Sequence, residues 1–220
     1  RNNNIAFHTD ACQSFGKIPV DPEKIHADMI SLNAHKIYGP KGVGALYIRK
    51  GTVIEPILHG GGQERGLRST TENIPGIAGF AKAAELCHEQ MDNEIRRLQS
   101  LRNHFIDRLH NDSEEVYFNG PEDGYPGIIN FSFRGREGES IHLLLMLDEA
   151  GVAVSTGSAC SSNHSNASGS HVLNAMGRNP VEARGAIRVS IGRFNTVDDM
   201  DNFCDILHNV YSKLKTVYSH

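Results

Sequence analysis

The chain contains no apolar run approaching the roughly 20 residues that a membrane-spanning helix needs. A helical membrane span is therefore not expected. The opening residues, Arg1-Asn2-Asn3-Asn4-Ile5, lack an initiator methionine and the apolar region of a signal peptide. The sequence thus reads as a fragment or a processed chain, with a cytoplasmic location expected. No block of basic residues stands out, and the net charge is −4, so an electrostatic footprint for nucleic acid is missing. Cys12, Cys87, Cys160 and Cys204 are too far apart for a CxxC or zinc-knuckle spacing. Without a secretory signal, a disulfide framework is not expected either. The 12 histidines form no HxH or HExxH pattern, so no metal site follows from them. Internal repeats and low-complexity segments are also absent.

What remains is an α/β pattern of 220 residues, 39% of them apolar, enough for one large or two modest domains. Residues 5–8 read as a short strand ending at Thr9-Asp10. Residues 11–28 cross back, with Asp21 placed to cap a short helix that carries Pro22 at its first position. Met29–Asn33 reads as the next strand. A strand, a crossover and a strand predict a right-handed parallel pair. Both strands would then end on one sheet edge, bringing Asp10 and Lys36 toward one pocket. Residues 43–49 follow after a short loop and should run antiparallel. The stretch 59–71 holds four glycines with Arg65 and Arg68, a composition suited to close approach of an anion. It reads equally as a plain flexible loop.

A long helix is expected over residues 72–109, with an apolar stripe at Ala84, Cys87, Met91, Ile95, Leu98, Leu101, Phe105 and Leu109. The second half predicts a strand at Ile128–Phe133, a helix at 139–150 stopped by Gly151, and a strand at 152–155. A loop of small residues carrying Cys160 runs on to about residue 168. A helix at 170–176 stopped by Gly177, a strand at 186–191 and a closing helix at 197–214 complete the pattern. Two domains are expected. Residues 1–95 are part of a larger mixed-sheet domain with the start of a bridging helix, and residues 96–220 form a smaller α+β domain carrying the Cys160 loop.

Lys36 follows a strand end, where a lysine tucked against apolar neighbours can act as a nucleophile toward an aldehyde. Alone, it reads as a solvated loop lysine. An aldehyde cofactor such as pyridoxal phosphate needs more. Asp10 is the candidate carboxylate for its ring nitrogen. Gln13, His35 and Thr71 are candidate donors to its hydroxyl and phosphate, and Arg188, at the end of the last strand, could form a bidentate pair with a substrate carboxylate. Cys160, among small residues with no large apolar neighbour in sequence, is a second candidate nucleophile.

Five segments together carry a resemblance. They are His8-Thr9-Asp10-Ala11-Cys12-Gln13, the run from His35 to Gly42, the run from His59 to Ser69, Ser158-Ala159-Cys160, and the run from Arg188 to Arg193. In this order they resemble the cysteine desulfurases of the NifS/IscS type, class V enzymes of the fold type I pyridoxal-phosphate architecture. The Cys160 loop is similar to that of the long-loop group.

The resemblance implies a homodimer that converts L-cysteine to L-alanine, with sulfur passed to a cysteine persulfide and on to an iron–sulfur scaffold or other acceptor protein. It implies that Lys36 holds the cofactor and moves the substrate's Cα proton. Asp10 would pair with the ring nitrogen, Gln13 with the ring oxygen, His35 with the phosphate and Thr71 with the partner subunit's phosphate. Arg188 would bind the carboxylate of free cysteine, and Cys160 would take the sulfur on a mobile loop. No resident metal ion is implied, with Cys160 the candidate ligand to a cluster.

Three departures stand out. The family's N-terminal part, with a phosphate-binding turn, a ring-stacking histidine and an asparagine near the ring oxygen, is not represented. Asn33 stands where a phosphate-binding serine or threonine is usual, although its amide can still donate. The stretch from Cys160 to His171 is longer than in close relatives. The alternatives are a selenocysteine lyase or another class V enzyme of the aminotransferase kind, and a non-catalytic C-terminal module serving binding or assembly.

Overall fold

The computed structural model describes residues 5–156 and 169–217. The chain divides into two units, Arg1–Asn93 and Glu94–His220, and the division falls inside the longest helix. In the first unit, β1 (His8–Asp10) pairs in parallel with β2 (Met29–Asn33), and β2 pairs antiparallel with β3 (Gly44–Ile48). The parallel crossover and the antiparallel return are those expected from the loop lengths.

The first strand starts later than its apolar run suggests. The Phe7 backbone N–H donates to the Asp28 carboxylate at 2.9 Å, and pairing with β2 begins at His8. The helix expected after Asp21 is a set of turns. The Asp21 carboxylate still takes the Glu23 and Lys24 N–H groups, at 2.9 and 3.4 Å, but the chain leaves for β2 within a turn and a half.

Helix α1 (Ile74–Asp112) runs for 39 residues, about 58 Å at 1.5 Å per residue. Its stripe is buried at Cys87, Leu98, Leu101, Phe105 and Leu109, as three-and-four spacing requires. Within the first unit, Phe80, Ala83 and Cys87 of this helix pack on Ala34 and Ile37.

In the second unit, β4 (Val116–Phe118), β5 (Ile128–Phe133) and β6 (Ile187–Ser190) form an antiparallel sheet in the order β4-β5-β6. Alternation sends Ile129, Phe131, Phe133, Ile187 and Val189 into a core shared with the second half of α1, α2 (Ser140–Glu149) and α5 (Val197–Val217). Two short helices, α3 (His171–Ala175) and α4 (Pro180–Arg184), bury a separate small cluster of Leu173, Ala183 and Ala186. Residues 152–155 do not form a strand. Only Ser155 pairs, in a single bridge with Arg188 whose two backbone bonds are 3.1 and 2.6 Å. No helix among the described residues is long and apolar enough to cross a membrane.

Candidate active site

The parallel pairing sets Asp10 opposite Ser31, so both strands deliver their following residues to the same sheet edge. At the end of β1 the Asp10 carboxylate accepts the Cys12 backbone N–H at 2.8 Å, a local turn that fixes the carboxylate's direction. The Cys12 thiol and this N–H together hold Asp10 below the usual carboxylate range, and the positive charges of Lys36 and His8 add to the effect. Asp10 is therefore an anion at neutral pH, within the field of Lys36. Burial raises the Cys12 thiol, and the Asp10 carboxylate raises it further. Beside them, His8 Nε2 and Ser31 Oγ are 2.8 Å apart across β1 and β2.

After β2 the chain makes one 3₁₀ turn, His35–Ile37. Ala34 and Ile37 are buried at 0% and 1% exposure, while His35 and Lys36 between them are exposed. The turn is thus anchored by its apolar ends and presents its polar middle. Lys36 is exposed and not tucked among apolar neighbours, the solvated position that its loop suggests when taken alone. Asn33 Oδ1 accepts the Lys36 backbone N–H at 3.3 Å, and its side chain also reaches the Cys12 thiol. The amide sits at the same edge as Asp10, with its oxygen committed to the turn.

Behind the turn, the Cys87 thiol donates to the Ile37 carbonyl at 3.7 Å. Gly16 lies against the same residue. A Cβ there would come within 2.7 Å of Ile37 Cγ2, and its φ of +73° also favours glycine. Next to Gly16 stands a residue that the sequence pattern does not single out. Lys17 is half-buried and its ammonium is held below the ordinary lysine range, first by burial and then by the charge of Lys36. Two lysines thus share this corner. No local sequence signal marks Lys17, because its place follows from the packing of Gly16 on Ile37.

Gln13 is exposed in that turn. Thr71 is exposed in the segment before α1, where its neighbour Thr70 accepts a hydrogen bond from Arg68 Nη1 at 2.7 Å. Among the described residues, no hydrogen bond joins Gln13 or Thr71 to the Asp10–Lys36 group.

In the second unit, Arg188 is the second residue of β6 and not the last, because pairing continues through Ser190. It is half-buried and lines a cavity of about 280 Å³ with Asn119, Asn130 and Ser170 among its neighbours. Cys160 lies outside the described residues.

The donor set of the first unit fits an aldehyde cofactor with a basic ring nitrogen. It offers a primary amine and a carboxylate that is an anion at neutral pH at one strand edge, with the amide of Asn33 and the imidazole of His35 alongside.

Known proteins share this arrangement of chain. The cysteine desulfurase IscS of Dictyoglomus turgidum is 51% identical over 216 residues, covering 97% of this chain and 54% of that protein. The cysteine desulfurase IscS 1 of Archaeoglobus fulgidus is 47% identical over 217 residues, covering 98% of this chain and 56% of its own length. Among solved structures, a NifS-like protein superimposes with a TM-score of 0.83 at 38% identity, over 96% of this chain and 54% of that one. The chain therefore spans about half the length of the curated relatives it matches. The model of the aminotransferase class-V family matches residues 1–203, and the chain belongs to that family.

Proposed function

We propose that this chain is the portion of a cysteine desulfurase that carries its cofactor lysine and its sulfur-accepting cysteine. The reaction is L-cysteine plus the Cys160 thiol giving L-alanine plus a Cys160 persulfide, which balances in atoms and electrons without a further oxidant. The observation that carries this reading is the convergence of a charged Asp10 and an outward Lys36 at one strand edge. Sequence identity near one half to proteins named as cysteine desulfurases supports it.

The family's cofactor is pyridoxal phosphate. When bound, it supplies an electron-withdrawing ring that makes the substrate's Cα–H acidic. Lys36 is the amine that anchors it and then carries the Cα proton. Asp10, kept anionic by Cys12, holds the proton on the ring nitrogen. His35 and Asn33 stand at the same edge as donors to the phosphate, with Gln13 donating to the ring oxygen and Thr71 donating across a homodimer to the partner's phosphate. Arg188 binds the substrate carboxylate with its planar fork. The Cys160 thiolate attacks the substrate sulfur and passes it on to an iron–sulfur scaffold or another acceptor, and the enzyme works in the cytoplasm.

The experiment is alanine release from L-cysteine by the protein supplied with pyridoxal phosphate. Lys36→Ala is expected to lower the rate by roughly 10²–10⁴-fold, the range for loss of a proton-transfer group. Cys160→Ala is expected to abolish persulfide formation. Alanine release at the wild-type rate by Cys160→Ala would sink the desulfurase reading and favour an enzyme of the aminotransferase kind.

A further inference from the structure

The polar face of the second sheet is organised around one asparagine. In the antiparallel register, Asn130 on β5 stands directly opposite Arg188 on β6. Residues so paired have Cβ atoms about 5 Å apart and project from the same face. The alternation that buries Ile129, Phe131, Ile187 and Val189 leaves Asn130 and Arg188 on the other side, where both line the 280 Å³ cavity. Among the described residues Arg188 takes part in no ion pair.

Asn119 fixes which way the Asn130 amide points. Its backbone N–H donates to the Asn130 carbonyl at 2.9 Å, continuing the ladder beyond β4. Its side chain, in a residue only 5% exposed, donates from Nδ2 to Asn130 Oδ1 at 2.9 Å and to Ser132 Oγ at 3.0 Å. Asn119 Oδ1 is left buried without a hydrogen bond. Reversing both amides would leave the two N–H donors of Asn119 unpaired in its place, a larger penalty than one orphan carbonyl. The Asn130 oxygen therefore belongs to Asn119, and the Asn130 NH₂ group is turned away from it, beside Arg188. The cavity wall then offers a guanidinium and a fixed amide donor side by side, and a carboxylate is the group that accepts from both.

We propose that Asn130 is a binding residue that shares the substrate carboxylate with Arg188, with Asn119 as the residue that positions it. The inference rests on the reading of Arg188 as the carboxylate site of an amino-acid enzyme. It adds a determinant for α-carboxylates over their amides, since a carboxamide turns N–H donors toward the Arg188 guanidinium and the Asn130 amide donor, where a carboxylate accepts from both.

The test is a titration of the full ¹⁵N-labelled protein with L-alanine and with L-alaninamide, followed on the side-chain NH₂ signals of Asn130. Saturable shifts with L-alanine and none with the amide are expected. Asn130→Asp keeps an acceptor for Asn119 and removes the donor, so it should fold and bind L-alanine at least about tenfold more weakly, the effect of losing one hydrogen bond to a charged group. In turnover the same variant should raise KM by a similar factor with a smaller change in kcat. Absence of saturable binding by the wild type, immobile Asn130 signals while the Arg188 Nε–H moves, equal binding of the amide, or an unchanged Kd in Asn130→Asp would each overturn the proposal. The two readings fail separately. If the protein makes no alanine from L-cysteine, the carboxylate titration is unaffected. If turnover is intact with an unchanged KM in Asn130→Asp, the desulfurase stands and this inference falls.

Discussion

The two units are stabilised differently. Among the described residues of Glu94–His220, helices α1, α2 and α5 close over one sheet and bury one large cluster of 20 residues, with Phe105, Phe131, Leu147 and Leu207 at 1% exposure or less. In Arg1–Asn93, the corresponding clusters hold five and three residues, and Val53 and Ile57 are 91% and 90% exposed. Stability in the second unit is thus a collective property of its core. In the first unit the site's geometry depends on a handful of close contacts around Ile37. A substitution in the second unit should register as lost stability, whereas one in the first should register as a displaced lysine.

The largest effect should come from Phe105→Ala. Phe105 is fully buried, stacks on Phe203 at 5.2 Å and meets Phe131 edge-on at 6.1 Å. A loss of about 3–5 kcal/mol is expected, read from denaturant unfolding of the second unit. A loss under about 1 kcal/mol would mean that this core is not the collective one described.

Next in size is Gly16→Ala, which places a methyl 2.7 Å from Ile37 Cγ2 on a backbone at φ +73°. A cost of roughly 1–3 kcal/mol is expected. Hydrogen exchange should rise around residues 34–39 while β5 and α5 keep their protection. Uniform loss of protection through both units would contradict the difference between them.

The smallest effect concerns pH. Glu115 in the second unit is held below the usual glutamate range, first by its bond to Lys215 at 2.7 Å and then by the Tyr211 hydroxyl. Its folded value lies below its unfolded one, so the stabilisation is present above the ordinary glutamate range and is lost as pH falls through the folded value. Glu115→Gln should lower the unfolding midpoint slightly at pH 7 and by less at pH 3. Equal losses at both pH values would assign the effect to packing.

Sequence patterns revealed elements where local signals and tertiary pairing agree. Met29–Asn33 was legible as an apolar run before the Lys36 loop, and Ile128–Phe133 because its apolar alternation matches the face it buries. Gly151 and Gly177 stop their helices at φ +86° and +92°, the left-handed backbone that glycine favours. What escaped depends on partners distant in sequence. β4 is three residues long and is defined by its pairing with β5, and residues 152–155 look like a strand but find only one pairing partner.

The same rule holds for the site. Asp10 and Lys36 could be joined from sequence because a parallel crossover brings both strand ends to one edge. Lys17 could not, because its position follows from Gly16 pressing on Ile37, and neither could Asn130, whose amide is oriented by Asn119.

Lys36 is proposed as the amine that holds the cofactor, and mixing the protein with pyridoxal phosphate, reducing with borohydride and mapping the modified peptide by mass reads this out. The expected result is one adduct, on Lys36, absent from Lys36→Ala. An adduct on the neighbouring Lys17, or none on folded protein, would contradict the account.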